Sequence, residues 1–240
     1  MDAELLYQKD LKILAEHVTS TRGLRPSVLL KFLQEASIAH TEALGMGRAK
    51  TLDRGFLWVI LNQHIEIQQM PVYDDLITVQ SWPGKMEHIL FPRHYRILNR
   101  KTGETMVLGT ANWMLINAQT RRMVFPEKEG IFVPGTQGDE EVEIPPHISM
   151  PELNQSASRT ATFSLSDING HLNNTSYLDL CEDLIPLPWL TAHTLKIADI
   201  AYREEIPLGE SFDILYGQEG KTWYFKTSKP EKFSIKLSYE

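Results

Sequence analysis

The chain is poor in cysteine: its 240 residues hold one, Cys181. An internal disulfide framework and a cysteine-rich metal site are thereby excluded, and a reducing cytoplasm is the expected setting. No apolar run approaches the roughly 20 residues that a bilayer-spanning helix needs. The opening residues, Met1 to Leu6, are acidic and lack an apolar core, so neither a secretory signal nor an Arg-rich transit peptide is expected. Positive charge is also short, since the formal net charge is −7. That balance argues against a nucleic-acid partner, which calls for a basic stripe. No Gly-rich phosphate cradle is visible. The histidines outside the motif described below show no ligand spacing, so no metal and no cofactor is expected.

What is present is ordinary in bulk and specific in one place. Hydrophobic residues make up 42% and charged residues 23%, as in a globular domain. The specific place is the run Asp167-Ile168-Asn169-Gly170-His171-Leu172-Asn173-Asn174-Thr175-Ser176-Tyr177. A carboxylate, an amide and an imidazole stand at alternate positions. In an extended segment such positions project to one side. Asp167, Asn169 and His171 are therefore candidates for polarising a carbonyl and moving protons.

Two segments have helical periodicity. After Arg25-Pro26-Ser27, Leu29, Phe32, Leu33, Ala36, Ala39 and Ala43 recur at three- and four-residue steps, and Gly45 and Gly47 supply a stop. After Asn173-Asn174, either of which can cap, Tyr177, Leu180, Cys181 and Leu184 form a stripe that Pro186 and Pro188 end. Strands are expected at 56–67, 76–82, 88–98, 104–116, 195–205, 211–216, 222–227 and 233–239. One more precedes each helix, near 11–18 and 160–165. Asn99 to Gly103, Gln218 to Lys221 and Lys229 to Lys232 read as turns. Between Pro126 and Gln155 prolines alternate with the acidic run Asp139-Glu140-Glu141, which reads as a surface linker with a short strand inside.

The order of elements thus repeats. Met70-Pro71-Val72 lines up with Ile206-Pro207-Leu208, which sets Gln69 opposite Glu205 and Arg25 opposite His171. The expected architecture is α+β, in two halves that each wrap an antiparallel sheet around one long helix.

These residues resemble the acyl-acyl carrier protein thioesterases. The run 167–174 with Tyr177 is similar to that family's Asp-x-Asn-x-His-x-Asn-Asn-x-x-Tyr. Ala201-Tyr202-Arg203-Glu204-Glu205-Ile206 resembles its Glu-Tyr-Arg-Arg-Glu-Cys. Thr78 to Pro83 and Thr120-Arg121-Arg122 look like further signatures. The resemblance implies tandem hot-dog domains: an N-terminal one over 1–130 holding the acyl pocket, a linker over 131–157, and a catalytic one over 158–240. It implies hydrolysis of fatty acyl thioesters on acyl carrier protein, in fatty acid biosynthesis. Asp167, Asn169, His171 and Glu205 match the family's catalytic residues. The family's cysteine is Ile206 here, so no thiolate acts at that position.

Several roles follow from that chemistry. Glu205 is the candidate nucleophile or general base. Free N–H groups near Asn173 and Asn174 are candidate oxyanion donors. Phe56, Trp58, Ile60, Leu33 and Ala36 are candidates to line an acyl slot. The carrier protein is acidic, so Arg93, Arg96, Arg121 and Arg122 are candidates to receive it. Monomer and homodimer are both compatible with two domains that pair internally. A coenzyme A thioesterase, a dehydratase on the same fold and a non-catalytic acyl-binding protein are the competing readings. For each site residue the plainer role is turn former, cap or core, and for Cys181 the core is the expected place.

Overall fold

The structure is a computed structural model that describes residues 5–133, 135 and 144–240. The expected acidic run Asp139 to Glu141 lies outside the described residues. In chain order the elements are β1 (Tyr7–Lys12), α1 (Pro26–Ala43), β2 (Phe56–Ile67), β3 (Leu76–Pro83), β4 (Leu90–Asn99) and β5 (Thr105–Asn117), followed by β6 (Gln155–Thr160), α2 (Ser176–Glu182), α3 (Leu187–Ala192), β7 (Leu195–Tyr202), β8 (Ser211–Glu219), β9 (Thr222–Thr227) and β10 (Phe233–Tyr239). No described helix is long and apolar enough to cross a membrane.

All ten strands form one antiparallel sheet, in the order β1-β3-β4-β5-β2-β7-β10-β9-β8-β6. The order is its own mirror image about the β2–β7 seam. There Asn62 pairs with Ala201 and Glu66 with Ile197. Each half therefore contributes five strands, and the seam joins them at their inner strands. This is the tandem hot-dog arrangement that the resemblance implies.

In the first half α1 fills the sheet as the periodicity predicts. Pro26 occupies its first position, where a missing N–H costs nothing. Leu29, Leu30, Leu33 and Ala36 are buried. The chain leaves the helix through Gly45, whose φ of +72° suits glycine.

The second half differs from the expected single long helix. α2 has seven residues, and α3 starts directly after Pro186. Pro186 and Pro188 end one helix and begin the next, because proline tolerates a first turn. Trp189 of α3 then stacks on His193 and meets Trp223 and Tyr239 edge-on.

The two outer strands also lie elsewhere than expected. β1 and β6 each begin before the expected span and reach only its first residues; the rest holds a 3-10 turn, Ala15–His17 or Phe163–Leu165. Both edge strands are largely exposed, so they carry no apolar alternation to betray them. β6 begins within the expected linker span, and no described residue between β5 and β6 is in a strand.

Hydrogen bonds fix the internal repeat and correct its register. Leu24 N–H donates to Pro71 O, as Leu172 N–H does to Ile206 O. Thr19 N–H donates to Gly23 O, as Asp167 N–H does to His171 O. Arg25 N–H donates to His17 O, as Asn173 N–H does to Leu165 O. Gly23 therefore stands opposite His171, and Met70 opposite Glu205. Neither Arg25 nor Gln69 holds the expected place. Aligning Pro71 with Pro207 caused the one-residue slip at Gln69, since Pro207 matches Val72, their bridges running to His171 and Gly23; Arg25 is displaced by two and stands opposite Asn173.

Candidate active site

The run 167–174 is a tight turn rather than an extended segment. Gly170 N–H donates back to Asp167 O at 3.1 Å, and Gly170 takes a φ of +76°. The Asp167 carboxylate organises the turn. One oxygen accepts from the backbone N–H of Asn169 (2.8 Å) and of His171 (3.1 Å). The other accepts from the Asn169 side chain at 3.4 Å. Asp167 and Asn169 thus meet, as expected, but as an Asp-centred turn rather than by strand alternation. Both residues take the plainer, turn-forming role.

His171 points elsewhere. It bridges to Pro207, and its Nε2 lies 3.8 Å from a Glu205 carboxylate oxygen. Its Nδ1 is buried without a hydrogen-bond partner among the described residues. Glu205 does not sit on β7. That strand ends at Tyr202, and Arg203 and Glu204 donate their N–H groups to Lys232 O, which turns the chain toward His171. Glu205 also forms an ion pair with Arg121, from the turn after β5. Arg121 was expected to receive a partner; the structure gives it to the candidate base.

Neither Asn173 nor Asn174 is the cap of α2, whose N-cap is Thr175; the Asn173 side chain instead closes a local turn, accepting from Thr175 N–H (3.0 Å) and Thr175 Oγ1 (2.8 Å). The Asn173 N–H donates to Leu165 O, so it is not a free oxyanion donor. The Asn174 N–H has no acceptor among the described residues, and the Asn174 carbonyl accepts from the Tyr202 hydroxyl at 2.9 Å. Tyr177 is core, edge-on to Tyr202 and Phe233. Ile206, which replaces the family's cysteine, is fully buried. Cys181 is buried too, and burial pushes its thiol well above the ordinary range.

A cavity of 440 Å³ joins this turn to the first half. Asp167, Ile168, Asn169, Asn173 and Asn174 form part of its wall. Ile168 is 97% exposed while lining it, which marks the mouth. The opposite wall includes Trp58, Phe91 and Trp113. Trp58 and Phe91 meet edge-on at 4.7 Å. Of the expected acyl-slot residues, Trp58 alone lines this cavity. Leu33, Ala36 and Ile60 belong to the main core, and Phe56 to a small cluster with Leu115 and Ile131. The apolar stripe of α1 faces the sheet, so the cavity runs along the helix flank of Gln34, Ser37, Ile38 and Thr41. That flank shows in the sequence as a second three- and four-residue stripe, polar except for Ile38.

The expected receiving arginines divide. Arg93 is buried and lines the cavity. Arg96 donates to Gln80 and lies over the Trp82 ring. Of the four, Arg122 remains as an exposed side chain, beside the committed Arg121.

Comparison with known proteins decides the family. The acyl-ACP thioesterase N-terminal domain matches residues 4–131, and the acyl-ACP thioesterase C-terminal domain matches residues 153–237. The chain belongs to the acyl-ACP thioesterase family. Curated relatives of this thioesterase family member are distant. The chloroplastic palmitoyl-acyl carrier protein thioesterase of Gossypium hirsutum is 24% identical over 215 residues, covering 84% of this chain and 52% of that protein. The chloroplastic dodecanoyl-[acyl-carrier-protein] hydrolase of Cinnamomum camphora is 26% identical over 220 residues, covering 84% and 56%. The chain spans about half the length of these curated relatives.

Solved structures agree on the fold. An acyl-ACP thioesterase from Bacteroides thetaiotaomicron superposes with a TM-score of 0.87 at 20% identity, covering all of both chains. The 12:0-ACP thioesterase from Umbellularia californica gives 0.84 at 20% identity, covering 98% of this chain and 97% of that one.

Proposed function

We propose that this protein hydrolyses fatty acyl thioesters borne by acyl carrier protein, releasing the free acid and the carrier thiol. The observation that carries the reading is the shared cavity. The Asp167–Asn169 turn forms one wall, and the aromatic residues of the first half form another. A thioester at the mouth would place its carbonyl by the asparagines and its chain among the aromatics. His171 and Glu205 do not line the cavity: the His171 N–H is tied to the turn by the Asp167 carboxylate, and Glu205 lies 3.8 Å from His171 Nε2.

In this reading Glu205 adds to the carbonyl carbon or deprotonates the water that does. The carbonyl oxygen takes up negative charge, and the Asn169 side-chain amide and the Asn174 N–H stabilise it; the Asn169 backbone N–H is already held by Asp167. The C–S bond breaks, and the leaving sulfur takes the proton that Glu205 removed from water; where Glu205 itself adds, the mixed anhydride formed on it is then split by water, which releases the acid, restores Glu205 and supplies the thiol proton. Positioned acid–base groups contribute about 10²–10⁴-fold, and an oxyanion donor about 10²–10³-fold. The residue at 206 supplies no thiol, so the chemistry rests on carboxylate, amide and imidazole.

Hydrolysis of a panel of acyl carrier protein thioesters tests the proposal. Glu205→Ala and Asp167→Ala should each lose activity by about 10²-fold or more. Undiminished turnover in both would sink the site assignment. Faster hydrolysis of coenzyme A thioesters at equal chain length would favour that carrier instead. A cytoplasmic setting is part of the same proposal and is supported by the single buried cysteine. Pairing of the two halves through β2 and β7 supports a monomer.

A further inference from the structure

Arg93 is the anomalous charge of the cavity. It extends from β4, is 5% exposed, and lines the wall. Its hydrogen bonds run to neutral acceptors: His40 Nδ1 at 2.8 Å, Thr41 Oγ1 at 2.9 Å and Ser81 Oγ at 3.5 Å. No carboxylate among the described residues pairs with it. The cavity's own glutamates do not serve: Glu42 accepts from Arg48 N–H at 2.6 Å, and Glu35 has no bond to Arg93. Burial pulls the Arg93 guanidinium down to about 10, which leaves it charged at neutral pH.

A buried cation without a counter-ion is expensive, so an unpaired one facing a cavity calls for a ligand. A guanidinium has five N–H donors, and three bonds leave two of them unused. A second donor stands on the same wall. Trp58 Nε1 is buried and has no acceptor among the described residues. The nearby hydroxyls are already engaged, Ser37 with Leu33 O and the Tyr95 hydroxyl, and Thr41 with Ser37 O. The wall thus offers surplus donors and a positive charge. A plain hydrocarbon chain would desolvate both and satisfy neither.

We propose that the cavity selects acyl chains that carry an oxygen acceptor — hydroxyl, oxo or carboxylate — and that Arg93, with Trp58 Nε1, is the group that recognises it. The proposal rests on the thioesterase reading and names its substrate class. Two measurements separate the two. The first is kcat/KM for acyl carrier protein thioesters of equal length, plain against hydroxy, oxo and carboxy. The second is binding of acyl pantetheine amides, in which N–H replaces the thioester sulfur and no turnover occurs.

The oxygenated chains should be favoured by about tenfold or more in both, since a site built around a polar group discriminates strongly against analogues that lack it. Arg93→Met should erase the preference, and Trp58→Phe should shrink it. Where Arg93→Met does not fold, the wild-type panel and Trp58→Phe decide. Equal or weaker binding of oxygenated amides by the wild-type protein overturns the inference, whatever the turnover. Selective binding without hydrolysis of any thioester would uphold it and sink the thioesterase reading instead.

Discussion

Arg121, in the turn after β5 of the first half, forms an ion pair with Glu205, in the turn after β7 of the second. The pair crosses the boundary between the two halves, and both side chains are 39% exposed. In the open such a pair adds little stability. Its consequence is positional, because the same Glu205 oxygen lies 3.8 Å from His171 Nε2. Arg121→Gln should lower kcat by up to about 10²-fold, the cost of a small misplacement, with KM and melting temperature little changed. In Glu205→Ala the same substitution should add nothing, because neighbours that act together are not additive. Steady-state kinetics on the four proteins checks this, and independent losses would show that Arg121 acts elsewhere.

The first half contains a silent copy of the site. Thr19, Thr21, Gly23 and Met70 hold the places of Asp167, Asn169, His171 and Glu205, on the same hydrogen-bond framework. Thr21 N–H donates to Thr19 Oγ1 as Asn169 N–H donates to Asp167 Oδ1. A Cβ on Gly23 would meet Met70 Cγ at 3.5 Å, the counterpart of the His171–Glu205 approach. The turn has the same bonding pattern without the ionisable groups. Thr21→Ala should therefore leave turnover unchanged, whereas Asn169→Ala should reduce it by about 10²-fold. An equal loss in both would mean that the turn matters for folding and not for chemistry.

The inner elements were legible because their sequences alternate or repeat strongly. β2, β9 and β10 stand within the very residues that the pattern indicates, and α1 follows its apolar stripe. β1 and β6 were misplaced because edge strands bury little and leave no alternation to read. The run 167–174 was legible as residue types but not as a shape, since Gly170 at positive φ folds a stretch that reads as extended. The Arg121–Glu205 pair was not legible at all. Nothing in a sequence links residues so far apart except the sheet register that joins β5, β2 and β7. Arg93 was misjudged as surface because charge in a strand ordinarily faces water, and here the cavity takes that place.

At the seam itself His64 faces Asp199 across β2 and β7. Its Nδ1 lies 2.6 Å from Asp199 Oδ1, and its Nε2 3.0 Å from Glu66 Oε1. Lys236 closes the group at 3.2 Å from Asp199. Burial pulls the His64 imidazole down, but its bonds to Asp199 and Glu66 outweigh that and hold it above its ordinary value. A raised histidine stabilises the fold fully below its unfolded pKa of about 6.5 and loses that contribution as pH rises through the folded value. Melting temperature should fall over that window in the wild type and stay flatter in His64→Gln. Asp199→Asn should cost about 3–5 kcal/mol, as removal of one partner from a buried pair does. Denaturant unfolding measures it, and a loss below about 1 kcal/mol would place the pair in effective contact with water.

Glu182, at the end of α2, is the opposite case. Burial, reinforced by the neighbouring Asp179 carboxylate, pushes its carboxyl up from 4.5 to about 8. A raised acid binds its proton more tightly in the folded state, so its folded form becomes costlier as pH rises between those two values. Above that range the charge must be held inside the second half, where the Tyr239 hydroxyl and the Arg25 charge favour it but do not outweigh burial. Glu182→Gln keeps the shape and removes the titration. The variant should melt higher than the wild type in alkaline buffer, by about 2–4 °C for each kcal/mol recovered, and the gain should vanish in acid. A gain that does not depend on pH would assign the effect to packing, and a loss at high pH would mean that the carboxylate has a partner there worth keeping.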